Sequence, residues 1–338
     1  MLKIVGDINF TDGFWDTGFG IGTSIKKGAN PFNKLNRTPN DFWIGNFECV
    51  CAQTSNKTGL FAKQFKIEPQ YLQSFSHLNL YNVANNHCMQ HGEEAYNEML
   101  NNINAFGSDY FGSNSKRYTI FEHQGKNIAI MGFSQRPEAF CEKPCYWSMP
   151  EYNEIQDEFR NIINCDYKIA YIHWGNEYIT YPYNDQIQFA HWLIDMGFDL
   201  IIGLHPHVLQ GYEIYKHKYI FYSIGNFVFN QAWEPTNYSA IINVNFDLEN
   251  PVSFEYLKIE EDYFPQQRGY DIPDKYKMKD LTGTFDFKKS NEHYYNNVRK
   301  NLNMYRRANH VNIIKNLYRF KISDISEIVK DFFKRRIK

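Results

Sequence analysis

Residues 199–210, which read D-L-I-I-G-L-H-P-H-V-L-Q, constrain the fold of this chain more than any other segment. The apolar run at 200–202 is typical of a buried strand, which Gly203 is expected to end. His205 and His207 follow, separated by one proline. Alternate side chains of an extended segment share a face, and a proline favours extended backbone in the preceding residue, so both imidazoles are expected to point to one centre. Two histidines in a surface loop are the simpler alternative for this segment alone.

Polar side chains able to bind a metal ion follow several other predicted strands. The strands predicted at 2–5, 42–44, 78–84 and 168–172 are followed in turn by Asp7, by Asn46 and Glu48, by Asn86 and His87, and by His173. In α/β folds, ligands bind beyond the carboxyl ends of strands. Carboxylate oxygen, amide oxygen and imidazole nitrogen together suit divalent ions such as Mn, Fe, Zn or Mg. Their repetition after strands favours a metal centre over unrelated surface residues.

The rest of the pattern predicts a mixed α/β chain with two sheets. Helices are expected at 69–76, 92–106, 151–163 and 186–196, and a long loop at 11–40. Further strands are expected at 118–121 and 128–133, flanking a turn at Gly125, and at 219–223, 240–246 and 252–259.

Composition limits the class of protein. The chain has 338 residues, of which 43% are hydrophobic, so it can form one large or two modest globular domains. Its 28 Phe and 25 Tyr argue against disorder and against a repeat solenoid. Charge is unevenly distributed: from Tyr270 onwards, 17 Lys and Arg face 8 Asp and Glu, a net +9, whereas the rest carries −11. A basic tail therefore follows an acidic body.

A cytoplasmic location is the expectation from the sequence, with a peripheral position at the inner face of the membrane as the alternative. No segment approaches the roughly 20 apolar residues of a membrane span. The first residues run directly into the strand at 2–5, which is unlike a signal peptide. The six cysteines lack C-x2-C pairs and are expected to be free thiols in a reducing compartment.

Six motifs occur in an order that resembles a known family. They are Gly6-Asp7, Asn46-Phe47-Glu48, Ala84-Asn85-Asn86-His87, His173-Trp174-Gly175 with Glu177-Tyr178, Gly203-x-His205-Pro206-His207-Val208-x-Gln210, and Tyr222-Ser223-x-Gly225-Asn226-Phe227. This pattern is similar to that of the CapA proteins of capsule and poly-γ-glutamate biosynthesis, a branch of the calcineurin-like metallophosphoesterases. The resemblance runs from residue 2 to about residue 230.

The resemblance implies a four-layer αββα sandwich with one or two divalent ions at the carboxyl edge of the strands. The metal ligands that it implies are Asp7, Glu48, Asn86, His173, His205 and His207. His87 is implied as a neighbouring histidine that binds a phosphoryl oxygen or protonates the leaving group. Glu177 is expected either to bind substrate or to orient His173, with a solvent-facing loop position as the alternative. Asn9 replaces the superfamily's first-motif histidine and Glu48 its bridging aspartate, so a single ion is also compatible with the sequence.

The function implied is that of a metal-dependent hydrolase, in the first instance a phosphoesterase acting in capsule or surface-polymer biosynthesis on a phosphorylated or polyanionic substrate. A second hypothesis is hydrolysis or transfer at a γ-glutamyl amide. A third is a non-catalytic assembly protein of a polymer-synthesis complex.

Two domains are predicted: residues 1–265 as the metallophosphoesterase-like domain and residues 266–338 as a basic, mostly helical extension. Apolar residues recur at helical spacing over 297–320, and a second amphipathic helix is expected after Ser323-Asp324, with a basic end at 334–338. These helices are expected to pack on the first domain, to attach to an anionic membrane surface, or to dock onto an acidic partner protein. Nucleic acid is not expected as a partner, because no recognition motif accompanies the charge.

Overall fold

The computed structural model describes residues 1–12, 20–75, 78–260, 262–287 and 291–334. The strands are β1 (Leu2–Ile8), β2 (Phe42–Phe47), β3 (Val50–Cys51), β4 (Lys66–Ile67), β5 (Leu80–Asn82), β6 (Asp109–Phe111), β7 (Tyr118–His123), β8 (Lys126–Ser134), β9 (Tyr167–His173), β10 (Leu200–Leu204), β11 (Tyr212–Tyr215), β12 (Lys218–Phe221), β13 (Asn226–Val228), β14 (Tyr238–Val244), β15 (Val252–Ile259) and β16 (Pro265–Gly269). The α-helices are α1 (Ile21–Lys26), α2 (Glu93–Ala105), α3 (Tyr152–Ile162), α4 (Asn184–Met196), α5 (Glu292–Asn316) and α6 (Ile322–Lys334).

Two large sheets form the centre of the molecule. The first has the strand order β16-β15-β14-β1-β2-β5-β6, and β13 also pairs with β1. The second has the order β11-β12-β10-β9-β8-β7. Within them, β1, β2, β5 and β6 run parallel to one another, as do β8, β9, β10 and β12. The carboxyl ends of the parallel strands in each sheet therefore lie at one edge, where loops can bring polar side chains together.

Three apolar layers hold the sheets and helices together. The central layer packs side chains of the first sheet, such as Ile4, against side chains of the second, such as Ile202. On the outer face of the first sheet, Trp43 belongs to a cluster with the buried face of α2, including Met99. On the outer face of the second sheet, the clustered residues include those of α3 and α4, such as Leu193. The order helix, sheet, sheet, helix confirms the predicted αββα sandwich.

Most predicted elements are present, with displaced ends. The helices expected at 92–106, 151–163 and 186–196 are α2, α3 and α4, and the hairpin around Gly125 is β7 and β8. The segment expected to be a loop at 11–40 instead contains α1, and its residues 13–19 lie outside the described residues. The helix expected at 69–76 is the 3-10 helix Pro69–Phe75, and position 76 is likewise outside them.

Gly203 does not end its strand, contrary to the expectation from the sequence. β10 continues through it to Leu204. A Cβ atom at this position would overlap the carbonyl group of Tyr222 and the indole nitrogen of Trp174. Glycine is therefore required here for close packing of the neighbouring backbone and not as a strand breaker.

The C-terminal helices α5 and α6 contact the rest of the protein. α5 buries Tyr294 and Tyr305, and the backbone N–H of Leu60 donates a hydrogen bond to Glu327 of α6 (2.8 Å). The predicted domain boundary at 265 falls at the start of β16, which pairs with β15. The division into two domains and the partner of the basic extension stay predictions. The basic end at 335–338 lies outside the described residues. None of the helices described is both long and apolar enough to cross a membrane.

Candidate metal centre

The candidate metal centre lies where the carboxyl edges of the two sheets meet. In the first sheet, Asp7 of β1 is in register with Asn46 of β2. In the second sheet, His173 at the end of β9 is in register with Leu204, the last residue of β10. Asp7, Glu48, His173, His205 and His207 are all 2% exposed or less. The strand pairing thus places buried carboxylates and imidazoles from distant parts of the chain in one pocket.

Asp7 connects the two sheets through hydrogen bonds. Its Oδ1 accepts a hydrogen bond from the side-chain amide of Asn46 (2.7 Å), and its Oδ2 accepts one from the backbone N–H of His205 (3.1 Å). The same Oδ2 lies 3.4 Å from Nδ1 of His207. Burial alone would raise the pKa of Asp7, but the hydrogen bond to His207 and the charges of His207 and His173 lower it overall. Asp7 is therefore an ionised anchor for the histidine loop.

Glu48 is a buried carboxylate that faces imidazoles. Neither of its oxygens has a hydrogen-bond partner among the described residues. Its Oε1 lies 3.8 Å from Nε2 of His173, 3.8 Å from Nε2 of His207 and 3.9 Å from Nε2 of His87. Burial and the nearby charges of Asp7 and Glu177 raise the pKa of Glu48 well above its usual range. A buried carboxylate is costly unless a cation or donor compensates it, so this position fits a metal ion.

His173 is held neutral between two amides. Its Nδ1 lies 3.3 Å from the side-chain NH2 of Asn46, and its Nε2 lies 2.8 Å from Oδ1 of Asn86. Because Asn46 donates and Asn86 accepts, the proton is assigned to Nε2. Burial lowers the pKa of His173 to about 3. Nε2 of His173 therefore donates to the amide oxygen of Asn86, and this proton would have to leave before Nε2 could bind an ion.

The backbone at His205 and His207 is not extended, which corrects the expectation from the sequence. Their φ angles are +92° and +58°, in the left-handed region that side chains other than glycine rarely adopt. The backbone N–H of His205 donates to Asp7, and the carbonyl of Pro206 accepts a hydrogen bond from the backbone N–H of Tyr178 (2.8 Å). These two hydrogen bonds stabilise the turned backbone, and both rings still point into the site.

The two rings of this loop have different environments. Neither nitrogen of His205 has a partner among the described residues, and burial, with His173 nearby, lowers its pKa well below the usual value. Nδ1 of His207 instead contacts Oδ1 of Asn226 (3.0 Å) and Asp7. Burial alone would lower the pKa of His207, but the hydrogen bond to Asp7 and the charge of Asp7 raise it. Both Nε2 atoms are left available for a metal ion.

His87 lies beside this group of ligands on the loop after β5. Its Nδ1 donates a hydrogen bond to Oε1 of Gln90 (2.8 Å), and its ring stacks on Phe65 with centroids 3.8 Å apart. Nε2 therefore points towards Glu48. Burial lowers the pKa of His87 to about 4, so the ring is neutral near pH 7. Its side chain is 16% exposed, in contrast to the ligand imidazoles, so a bound substrate could reach it.

Glu177 is half-buried. Its negative charge contributes to the raised pKa of both Glu48 and His207. Both ring nitrogens of His173 contact asparagine side chains instead, those of Asn46 and Asn86, so the predicted role of Glu177 in orienting that ring stays a prediction. Trp174 donates its indole N–H to the carbonyl of Tyr222 (2.9 Å) and belongs to the outer core of the second sheet.

Residues 1–231 match the family described as bacterial capsule synthesis protein PGA_cap. The chain belongs to this family. The matched segment contains every residue that the sequence predicts for the site, from Asp7 to His207, and the predicted family is thereby confirmed.

Two relatives in the family are close enough to align over most of that segment. The chain is 31% identical to the PGA biosynthesis protein CapA of Bacillus subtilis over 236 residues, which are 65% of this chain and 61% of that protein. It is 30% identical to the capsule biosynthesis protein CapA of Bacillus anthracis over 225 residues, which are 60% of this chain and 54% of that protein. The chain therefore spans less than two thirds of the length of either relative.

Among solved structures, a 5'-nucleotidase from Candida albicans superposes with a TM-score of 0.46 at 13% identity, covering 78% of this chain and 53% of that one. A phosphatase from Mycoplasma pneumoniae superposes with a TM-score of 0.43 at 11% identity, covering 78% of this chain and 89% of that one.

Within this PGA_cap chain, the described residues include two overlapping triads whose ligand atoms are close enough together to hold a metal ion. One is Glu48, His173 and His205, and the other is Asp7, Glu48 and His207. In each triad the candidate ligand atoms lie within 4.8 Å of one another. Because Glu48 belongs to both, the arrangement is compatible with one ion or with two that share this carboxylate. Asn9, two residues after Asp7, uses its amide oxygen to accept hydrogen bonds from the N–H and hydroxyl of Thr11 (3.1 and 2.7 Å).

Sequence reasoning missed the residues that support the histidine loop. Asn226 belongs to one of the family motifs but was given no role in the site, and its Oδ1 contacts Nδ1 of His207 (3.0 Å). Tyr178 contacts Pro206 through its backbone, stacks on Tyr305 of α5 with centroids 4.1 Å apart, and receives a hydrogen bond from Asn301 at its carbonyl (2.7 Å). The helical spacing of α5 was readable in the sequence, but no local pattern indicates which loop a distant helix covers.

Proposed function

We propose that this protein is a metal-dependent hydrolase of phosphoesters that acts in capsule or surface-polymer biosynthesis. The observation that carries the proposal is Glu48. It is fully buried, it has no hydrogen-bond partner among the described residues, and it faces the Nε2 atoms of three histidines. A carboxylate in this setting is expected to be compensated by a cation.

The residues present fit one or two divalent ions. Asp7, Glu48, Asn86, His173, His205 and His207 would hold them, since they combine carboxylate and amide oxygens with imidazole nitrogens. The nearby charge of Glu177 adds to the negative potential. A divalent ion supplies Lewis-acid polarisation of a phosphoryl oxygen and lowers the pKa of water. Mn, Fe, Zn and Mg are all compatible with this set of donor atoms.

His87 would handle a proton at Nε2. Its Nδ1–H is fixed by Gln90, so Nε2 carries the free lone pair and faces the centre. With a pKa of about 4, the ring is neutral in the protein without substrate. A phosphoryl anion beside it would raise that pKa, because opposite charges favour the protonated form. Nε2 could then hold a proton and deliver it to the leaving oxygen.

Replacing the carboxylate at Glu48 tests the proposal. Chelated protein is reloaded with Mn, Zn or Mg, and bound metal and hydrolysis of p-nitrophenyl phosphate are measured together. Wild type is expected to bind metal and to hydrolyse the phosphoester only when loaded, and Glu48→Gln to lose both. Glu122→Gln, an exposed residue on β7, is the matched control and should change neither.

Two results would overturn parts of the proposal. Metal-loaded wild type that cleaves γ-glutamyl p-nitroanilide but not the phosphoester would move the activity to an amide bond. Metal binding without hydrolysis of either probe or of other phosphoesters would favour an assembly role instead. The γ-glutamyl probe is included because the two relatives are named for PGA biosynthesis and capsule biosynthesis.

A further inference from the structure

Lys57 is a cation near the candidate metal centre that the proposed function does not use. It lies on the loop after β3, and this loop packs on the loop that carries His87. The backbone N–H of Asn56 donates to the carbonyl of His91 (3.1 Å), and the Ser55 hydroxyl contacts Nδ1 of His91 (2.8 Å). The backbone N–H of Lys57 donates to the hydroxyl oxygen of Ser55 (3.0 Å). The backbone of Lys57 is therefore fixed relative to His87.

The ammonium group of Lys57 has no negatively charged partner. Its Nζ forms no salt bridge or hydrogen bond with the described residues, and it is not one of their buried unpaired atoms, so it is accessible to solvent. Partial burial of the side chain lowers the pKa of Lys57, and no carboxylate offsets this effect. Lys66 of β4 instead donates its Nζ to the carbonyls of Ala52 (2.8 Å) and Gln53 (3.3 Å). A half-buried cation without such partners is suited to bind an anion from outside the protein.

The ring of Phe140 connects Lys57 to His87. Nζ of Lys57 lies 4.6 Å from the centroid of the Phe140 ring, and that centroid lies 6.2 Å from the centroid of the His87 ring. Nζ is therefore at most 10.8 Å from the centre of the imidazole, which is the two distances taken together. The charge of Lys57 also contributes to the lowered pKa of His87. Phe140 is 40% exposed and the side chain of His87 16%, so all three side chains are in part accessible to a ligand.

The carboxylates near Phe140 and His87 have other partners. Glu138 accepts hydrogen bonds from the backbone N–H groups of Ala139 (2.8 Å) and Phe140 (2.6 Å) and from the hydroxyl group of Tyr146 (2.8 Å). Glu48 lies 3.9 Å from Nε2 of His87 and is expected to be compensated by a metal ion. Neither forms a salt bridge with Lys57, whose charge is left to attract an anionic ligand.

We propose that Lys57 binds a second anionic group of the substrate, carried by the leaving group. This inference rests on the proposed hydrolase and names its substrate class, which is phosphoesters whose leaving group bears a phosphate or a carboxylate. Nε2 of His87 would deliver a proton to the leaving oxygen, so the leaving group lies beside His87, and a charged group a few bonds further on comes within reach of Lys57. The ammonium group offers three donors to an anionic oxygen, and such charge-assisted hydrogen bonds are stronger than neutral ones.

Phosphonates, which have no ester bond to hydrolyse, test the inference without turnover. The full chain loaded with Mn is titrated calorimetrically with propylphosphonate, 3-phosphonopropionate and propane-1,3-bisphosphonate, which end in a methyl group, a carboxylate and a second phosphonate. Wild type is expected to bind at least one of the two doubly anionic compounds on the order of ten- to a hundredfold more tightly than propylphosphonate, the range for one hydrogen bond to a charged group. The compound that binds more tightly identifies which anion Lys57 prefers.

Lys57→Met should abolish this preference, and Lys57→Arg, which keeps the charge, should retain most of it. Lys126→Met is the matched control, because Lys126 is exposed at the start of β8, at the edge of the second sheet opposite to the metal centre. This control should leave the preference unchanged. Propylphosphonate should bind to all of these proteins alike, since none of the changes touches a proposed metal ligand.

The inference is overturned if wild type binds the three phosphonates equally, if Lys57→Met keeps the preference, or if Lys126→Met loses it as well. Lys57→Glu provides an independent variant if Lys57→Met does not fold, and it should bind 3-phosphonopropionate less tightly than propylphosphonate. Absence of hydrolysis of every phosphoester would bear on the hydrolase proposal alone, because the phosphonate titrations do not depend on turnover.

Discussion

The two sheets contribute different chemistry to the candidate metal centre. The first sheet supplies oxygen donors from the ends of β1, β2 and β5, which are Asp7, Glu48 and Asn86. The second sheet supplies nitrogen donors from the ends of β9 and β10, which are His173, His205 and His207. An ion bound by both sets would join the edges of two sheets, so metal binding would also stabilise their packing.

The oxygen half of the candidate centre, from the first sheet, and the nitrogen half, from the second sheet, differ in how their backbone is held. Asp7 is paired with Asn46 of β2 and with Asn226 of β13, although the register shifts on either side of it. His205 and His207 lie in a turned loop that depends on Tyr178, and Tyr178 is itself at φ +66°. Asn301 and Tyr305 of α5 hold Tyr178, and α5 lies outside residues 1–231 that match the family. The oxygen half is thus supported from within the family's core, and the nitrogen half partly from an added helix.

The largest effect is expected from replacing His205 by alanine. It would show that the nitrogen half is essential for metal binding. His205→Ala should lose bound metal and activity together, with a rate decrease of more than about 10⁴, above the range for a general acid alone. Its ring has no hydrogen bond among the described residues, so the variant should still fold. Metal content by mass spectrometry and the hydrolysis rate are the measurements. A variant that retains full metal content would show that His205 is not a ligand.

His87 tests the oxygen side of the comparison, because it follows β5 beside Asn86. His87→Ala should lower the rate by about 10² to 10⁴ while metal content stays near wild type, since a positioned general acid contributes in this range. The same two measurements apply. An empty metal site in this variant would make His87 a ligand, and an unchanged rate would remove it from the reaction.

Tyr305 tests whether the added helix supports the nitrogen half. Tyr305→Ala removes the ring stacked on Tyr178 and should weaken metal affinity about 10- to 100-fold, as loss of a group that orients ligands does. Tyr295→Ala, at an exposed position on α5, is the matched control. Competition with a chelating dye measures the affinity, and the absorption spectrum of bound Co²⁺ reports the ligand geometry. Unchanged affinity and spectrum would favour the prediction from the sequence that residues 266–338 form a second domain.

The smallest expected effect is a loss of folding stability at low pH, and it involves the loop that carries Asn86 and His87. His91 at its end donates from Nε2 to the carbonyl of Gln64 (2.6 Å) and contacts the Ser55 hydroxyl through Nδ1 (2.8 Å). Burial lowers the pKa of His91 to about 4. The unfolded chain, with a pKa near 6.5, therefore takes up a proton first as the pH falls. The stability that this neutral ring contributes is complete above about pH 6.5 and is lost as the pH falls towards 4.

Lowering the pH from 7 to 5 should therefore cost wild type about 2 kcal/mol through His91. His91→Gln should reduce the pH dependence by about this amount, although it starts from a lower stability. Denaturant unfolding of the chelated protein at both pH values measures the difference. Equal pH dependence in the two proteins would contradict the argument.

Local patterns in the sequence predict the mixed α/β class with two sheets and the polar residues that follow strands, whereas the four-layer sandwich and the full ligand set are implied by the family resemblance. Apolar runs followed by Asp7, Glu48 or His173 mark strand ends, and parallel strands bring such ends together. The backbone at His205 and His207 was not predictable. Local rules favour extended backbone before a proline, and hydrogen bonds to Asp7 and Tyr178, which lie far away in the sequence, override that preference.

The short edge elements were missed for a related reason. β13 has three residues and β16 reads P-Q-Q-R-G, so neither carries an apolar pattern. Their strand conformation comes from the partner strands β1 and β15. The docking of α5 on Tyr178 likewise depends on tertiary contacts.

The pairing of β1 with β13 also bears on the order in which the protein is made. The backbone N–H of Asp7 donates to the carbonyl of Gly225 (3.2 Å), and Asp7 is in register with Asn226. A ribosome adding about 5 to 20 residues per second needs roughly 10 to 40 s to travel from the first of these residues to the second. During that interval β1 lacks this partner, and the candidate ligands are not yet complete. Binding of an ion by the full set would therefore be a late event for the nascent chain, and β1 is exposed to mispairing until then.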